Sequence, residues 1–331
     1  MRQNLRSTSE AAKLIASGRK LLLAGDEGVL RGLPAGNWVA GTIPYFMAAE
    51  GGVCARDRVF VTELPDCVGE VTMRFYDGDE LRNVYRDAPS NGLTVVIIPA
   101  GTAVHQAFAV EAPAYPGFGT RPLVGWIAGV HLDELGSATP KVFLGSTGAA
   151  SADKAVVLHM TLPREKSVNI GIVNLFKQGD GDLLSFPDTG FKVTTVLVND
   201  EPKNLAAYIK ERSLDTTLPF VADYGGASIN VSVQSVDHDK GVVTLYAPVF
   251  SGIIYKHAQP VGDYVTEFTA HLPKDMSSDM VFSCNCILNY LYSHLEGRST
   301  GEVTGPVTFG EIAYQLLNQT LAYVTLIDVA S

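Results

Sequence analysis

Cysteine is scarce in this chain. Only Cys54, Cys67, Cys284 and Cys286 occur in 331 residues. They make a single Cys-x-Cys and no second pair at zinc spacing. That argues against a structural zinc site and a disulfide scaffold, and it suits the reduced thiols of a cytoplasmic protein. Basic charge is short as well: 25 Lys and Arg stand against 35 Asp and Glu, a net −10, with no Lys/Arg cluster. Phosphate-reading surfaces need basic stripes, so nucleic acid is not an expected partner, and no basic amphipathic segment marks a membrane surface. Long apolar runs are missing too. A membrane helix needs about 18 such residues, and the longest candidate, 242–255, is interrupted by Pro248, Ser251 and Gly252. The first ten residues carry no apolar stretch of the secretory kind. The expectation is a cytoplasmic protein with no membrane partner.

Familiar catalytic signatures are absent. There is no Gly-x-Ser-x-Gly, no His-Glu-x-x-His and no Gly-Lys-Ser/Thr. The glycines that follow the apolar run 20–25 (Gly25, Gly28, Gly32) do not fall at dinucleotide spacing. Asp237-His-Asp239 reads as a hairpin tip rather than a metal site, and the seven histidines are scattered. No metal and no cofactor is expected.

What is present is apolar patterning. Hydrophobic residues make up 46 % of the chain, enough for a large core. Strands are predicted over 20–25, 38–46, 59–64, 71–75, 93–99, 123–127 and 142–144, with helices over 9–17, 77–86 and 103–110. The proline- and glycine-rich segment 112–120 reads as a crossover or a lid. The middle is mostly β: strands over 155–161, 168–176, 183–186 and 193–198, a helix over 202–210, a hairpin from 229 to 248 and an alternating strand over 264–272. The small-residue stretch 145–151 suggests a cut near 149. The expected fold class is α+β (or α/β), with two packed halves, 1–149 and 150–331, around mixed β-sheets. A faint echo links Val39-Ala-Gly-Thr-Ile43 to Thr308-Phe-Gly-Glu-Ile312 and hints at pseudo-twofold halves.

The densest signal lies near the C-terminus. Met280-Val-Phe282 is a short apolar run. Ile287, Leu288, Leu291 and Leu295 recur at helical spacing and stop at Gly297. The junction Ser283-Cys284-Asn285-Cys286 is thereby expected at a helix N-terminus, capped by Ser283 or Asn285. Unpaired N–H groups there favour anions and lower the pKa of a thiol. Cys284 is then a candidate nucleophile, assisted by Glu311 or His294, for acyl transfer or hydrolysis. The opposing possibility is an inert buried cysteine. In Phe309-Gly-Glu-Ile312, the carboxylate of Glu311 is positioned to take an amine.

These C-terminal motifs, with Asn318-Gln-Thr320 opening a final apolar strand 321–329, resemble the FIST sensory-domain family. Gly36-Asn-Trp-Val-Ala-Gly-Thr-Ile43, Gly51-Gly52 and Arg58-Val-Phe-Val-Thr-Glu-Leu64 are similar to its glycine-rich opening, although Thr42-Ile43-Pro44 stands where the family has an acidic turn. The resemblance implies a small-ligand sensor, with an amino acid as the suggested ligand and a signalling protein as its partner. The ligand site expected on these grounds comprises Gly41, Thr42, Cys284, Asn285, Gly310 and Glu311. A Cys284 enzyme and a structural module without ligand are the alternatives.

Overall fold

The computed structural model describes residues 3–223, 228–272 and 280–329. Its fold is α+β, with mixed sheets. The runs Leu21–Gly25, Gly92–Pro99 and Leu123–Ala128 are buried along their whole length. Strands of that composition need cover on both faces; they lie inside two of the four six-stranded sheets, and a third sheet, holding Met280–Cys286, is built the same way.

The three sheets share one plan. In the first, Leu21–Gly25 leads through the short helix Glu27–Arg31 into the parallel strand Trp38–Thr42 and is flanked on its other side by antiparallel Arg58–Glu63. In the second, Gly92–Pro99 leads through the helix Ala103–Glu111 into parallel Leu123–Ala128, with Ala155–Thr161 antiparallel beside it. In the third, Met280–Cys286 leads through the helix Ile287–Tyr292 into parallel Gly305–Thr308, with Leu321–Asp328 antiparallel beside it. An edge strand completes each: Gln3–Ser7, Val71–Tyr76 and Lys166–Val173.

Each unit also gives a hairpin to another. Tyr45–Ala48 and Gly51–Cys54 of the first pair with Gly305–Thr308 of the third. Val142–Leu144 and Ala149–Ser151 of the second pair with Trp38–Thr42 of the first. Glu311–Ala313 and Gln315–Leu317 of the third pair with Leu123–Ala128 of the second. The exchange is cyclic, so the chain is a closed ring of three repeats around one shared apolar core. The expected two halves with a cut near 149 are corrected on this point. Residue 149 lies in a strand of the donated hairpin, and every sheet of the ring takes strands from two repeats. The symmetry is threefold, and the sequence echo does not follow it: the parallel registers set Thr42, Ala128 and Thr308 at equivalent strand ends, so Gly41 lies inside its strand while Gly129 and Gly310 lie just beyond theirs.

Those glycines sit where the repeats meet. A Cβ on Gly41 would lie 2.6 Å from Ile97 Cγ2 and 2.9 Å from Trp126 Nε1; one on Gly129 would lie 2.5 Å from the Phe309 ring. Gly129 N–H donates to the Thr42 carbonyl at 2.7 Å, and Ile127 N–H to the Gly310 carbonyl at 2.8 Å. Only a residue without a side chain permits that approach.

Between Lys166–Val173 and the helix Tyr264–His271 the third repeat carries an insertion. Its two sheets, centred on Ile254–His257 and Val242–Val249, enclose their own core of Phe186, Leu205, Phe220, Leu245 and Tyr255, among others. Two expectations fail here. Residues 264–271 form a helix rather than an alternating strand: Asp263 caps it by accepting from Thr266 N–H, and Tyr264 and Phe268, one turn apart, are its buried face. The helix expected over 202–210 starts at Leu205, after the strand Glu201–Asn204, because Asn204 supplies the cap. The 112–120 segment is a 3₁₀ turn packed through Tyr115 and Phe118 onto Phe108, Tyr85 and Tyr314. Among the described residues no helix is long and apolar enough to cross a membrane, and no three His, Cys, Asp or Glu gather as metal ligands would.

Candidate functional site

In a parallel strand–helix–strand unit, the open ground lies beyond the carboxyl ends of the strands. The ring has three such junctions, and each ends differently.

In the first repeat, Asp26 caps the crossover helix and pairs with Arg56 at 2.8 Å. Arg56 forks onto both oxygens of Glu134, and Glu27 holds Lys141 at 2.7 Å. Charged side chains fill the space.

The third repeat's junction contains the residues singled out in the sequence. The strand Met280–Cys286 runs through the whole expected junction, four residues past Phe282, so Cys284 is a strand residue, and the helix begins at Ile287 with Cys286 as an N-cap that makes no side-chain bond. Neither Ser283 nor Asn285 caps it: Ser283 Oγ donates to the Thr304 carbonyl, and Asn285 Oδ1 accepts from its neighbour's N–H and from Asn289 Nδ2. Cys284 is fully buried, with its Sγ 3.5 Å from the Gly125 carbonyl, and burial pushes its thiol well above the ordinary range, reinforced by the nearby Glu311 and Cys286. The support for an activated nucleophile is withdrawn accordingly. Glu311 is also wholly buried. Its Oε2 accepts from Thr320 N–H and Oγ1, its Oε1 has no partner among the described residues, and burial raises its pKa to about 8. A carboxyl that is neutral near pH 7 is a poor seat for an ammonium group. Gly41 and Thr42 lie in the strand Trp38–Thr42, where Thr42 bonds the backbone of Lys141 and Gly129. The structure does bring Gly41 against Trp126, Trp126 opposite Glu311 in register, and Cys284 behind them. They meet as core packing.

The second repeat's junction is open. Beyond Pro99 and Ala128 lies a cleft of about 370 Å³. Its floor is Gly101, His105, Val130 and Phe309; one wall is the loop residues Leu132, Leu135 and Pro140; the other is Ile287, Leu288 and Leu291 of the third repeat's helix. The insertion closes the remaining side with Phe191, Lys192, Gln234, Thr244 and Tyr246. The two walls from the ring are apolar, the side given by the insertion is polar, and Leu135 is 57 % and Leu291 36 % exposed at the rim. None of the six expected site residues lines this cleft, though Phe309 directly precedes Gly310, and Ile287 and Leu288 follow shortly after Asn285.

His105 is the polar feature of the floor. Thr102 caps its helix, and its ring Nδ1 accepts from Gly101 N–H at 3.2 Å. The proton is therefore on Nε2, which is buried without a partner among the described residues. Burial lowers the His105 pKa to about 4, so the ring is neutral near pH 7. The edge of Phe191 packs against it. Reasoning from sequence passed His105 over as one of seven scattered histidines. The usable signal was its place: a helix's first turn, right after the most apolar strand of the chain.

A model of a family of unknown function, DUF6976, matches residues 6–327. The chain belongs to DUF6976. No curated protein matches it. The matched span takes in all three repeats and the insertion, so the cleft of this DUF6976 chain, built from two repeats plus the insertion, lies wholly inside the family region.

Proposed function

We propose that the protein binds a small molecule in the cleft at the end of the second repeat's parallel strands. The observation that carries this is the cleft itself: a cavity of about 370 Å³, within the size range of small-ligand sites, lined mainly by apolar side chains with a few polar ones, His105, Gln106, Lys192, Gln234, Thr244 and Tyr246. The exposed leucines of the rim would be covered by the same ligand. The FIST resemblance supports binding from the side of sequence, with the site relocated from Glu311 to the cleft. A signalling role through a protein partner is compatible with an insertion that forms one wall, since a ligand would bridge it to the ring.

A thermal-shift screen tests this. A ligand that binds the folded chain raises Tm in step with ln(1 + [L]/Kd). Hits on the wild type should vanish in Leu291→Trp, which places an indole in the mouth, and in Leu135→Trp on the opposite rim. Hits that persist in both variants would remove the site from this cleft. A broad metabolite panel with no hit on the wild type would count against binding altogether.

A further inference from the structure

We propose that two copies of the chain pair through the strand Lys166–Val173, antiparallel and about a twofold axis, so that their third sheets join into one.

This strand stands at the outside of the third repeat's sheet and has one neighbour, Leu321–Asp328. In an antiparallel ladder, alternate residues turn their N–H and C=O groups away from the neighbour. Among the described residues, no backbone group of Ser167–Val173 bonds outside that ladder. Among them it is also the longest outer strand, with eight residues against six in Val71–Tyr76 and five in Gln3–Ser7. An open row of that length is a template for another strand.

The threefold plan supplies a comparison. Gln3–Ser7 and Val71–Tyr76 hold the same place in their own repeats. Each carries an arginine inside the strand, Arg6 paired with Glu63 and Arg74 with Asp87. Charge on an edge deters an incoming strand. The third edge has its only charge at its first residue, Lys166, which pairs with Asp328. From there it runs Ser-Val-Asn-Ile-Gly-Ile-Val to residue 173. Val168, Ile170 and Ile172 share one face, and Ile172 is 45 % exposed.

A second copy is the fitting occupant because the run complements itself. A twofold axis normal to the sheet keeps every side chain on its own face. Centred on Ile170, it sets that residue against its own copy, and Val168 of each chain against Ile172 of the other. The exposed isoleucine is then covered by an aliphatic cross-strand partner. The charged stretch Arg164-Glu-Lys166 of each chain meets the uncharged Asn174-Leu-Phe176 of the other. Parallel pairing would instead lay the two charged stretches side by side. Twofold pairing is also the commonest closed symmetry of identical chains.

The test is sedimentation velocity on the full chain from micromolar to millimolar concentration, with amide hydrogen exchange at both ends of that range. The wild type should pass from monomer to dimer, and amides within Ser167–Val173 should slow as it does. Asn169→Lys places two ammonium groups near the axis, and Ile172→Lys removes an aliphatic pair; both positions are exposed, so the monomer keeps its fold. Each variant should raise the dimer Kd about tenfold or more, since a twofold interface contains every substitution twice. Leu183→Lys, an exposed position on the insertion, should leave the dimer intact. A wild type that stays monomeric at millimolar concentration overturns the proposal, and any occupant of this edge is then a strand of another protein. A dimer that survives both edge lysines, with amides 167–173 exchanging at one rate at every concentration, overturns it as well, because the copies then meet elsewhere.

Discussion

The junction after Gly92–Pro99 and the junction after Met280–Cys286 are the same piece of topology, and they end in opposite ways. The third repeat's junction is filled: Asn285, Asn289, Thr320 and Glu311 are all buried and each makes at least one hydrogen bond to another of them or to the backbone. The second repeat's junction keeps a cavity, a partnerless imidazole N–H and exposed leucines. Polar residues deep in the third junction suggested chemistry, yet they are packed into the core, where Asn285 Nδ2, Asn289 Oδ1 and Glu311 Oε1 are buried without a partner among the described residues. Both junctions therefore hold unmet polar atoms, and what sets the second apart is open space beside its strand ends, which a ligand needs. In a ring of repeats, function is then sought in the unit that breaks the pattern. The insertion, absent from the first two repeats, is what turns this one open junction into a cleft.

The largest test of that contrast is pH. Glu311 has its folded pKa raised to about 8 from 4.5 by burial. The folded chain holds this proton more tightly, so the stabilisation is complete below the unfolded value and is lost as pH rises through the folded one. That alkaline loss is on the order of 3–5 kcal/mol. The second repeat behaves in the opposite sense. His105 and His159 have folded pKa values lowered to about 4 from 6.5, both chiefly by burial. The unfolded chain takes those protons first, so stability present above pH 6.5 is lost as pH falls toward 4. Urea unfolding from pH 4 to 9 should show both limbs. Glu311→Gln should flatten the alkaline limb and keep the acid one, and His105→Gln should soften only the acid limb. An unchanged alkaline limb in Glu311→Gln would mean that Glu311 is not the buried acid described here.

A smaller effect separates packed ground from open ground. Gly41→Ala forces a methyl toward Ile97, Trp126 and Ala128 at the hub, and overpacking of this kind costs about 1–3 kcal/mol. Leu291→Ala, at the mouth of the cleft, removes a side chain already 36 % exposed and should cost under about 1 kcal/mol. Equal losses in chemical denaturation would show that the mouth is packed as tightly as the hub.

Much of the ring was legible in the sequence because apolar runs such as 93–99, 123–127 and 155–161 have few other uses, and they form the strands expected of them. The arrangement of those strands was hidden. Each hairpin crosses to another repeat, and such an exchange leaves no local pattern; the only trace was the glycine that a crowded hub requires at Gly41 and Gly310. The candidate site misled for a related reason. Cys284 and Asn285 lie beside a helix start in sequence, and a shift of four residues in the strand end moved both from an exposed N-terminus into the core. Tyr264 and Phe268 fit either a strand or a helix by spacing, and the Asp263 cap decided for the helix. The cleft itself draws on segments from residue 100 to 309, so no single stretch could announce it.

The smallest predicted effect concerns the loop shared by two junctions. Residues 129–141 carry Leu132, Leu135 and Pro140 on the cleft side, and Glu134 and Lys141 on the side pinned to the first repeat by Arg56 and Glu27. The Arg56 pairs are well exposed, so Arg56→Gln should change global stability by under about 1 kcal/mol. Its consequence belongs to the cleft. With Asp26 and Glu134 released, the loop keeps only its Lys141–Glu27 anchor, and the wall formed by Leu132 and Leu135 is held less firmly. Ligand affinity should fall about threefold to tenfold while Tm hardly moves, because ordering the wall becomes part of the binding cost. Salt should act in the same direction on the wild type, since exposed pairs are screened. Affinity that is indifferent both to Arg56→Gln and to salt would mean that the charged first junction and the open second one are independent, and that the cleft is held by its apolar contacts alone.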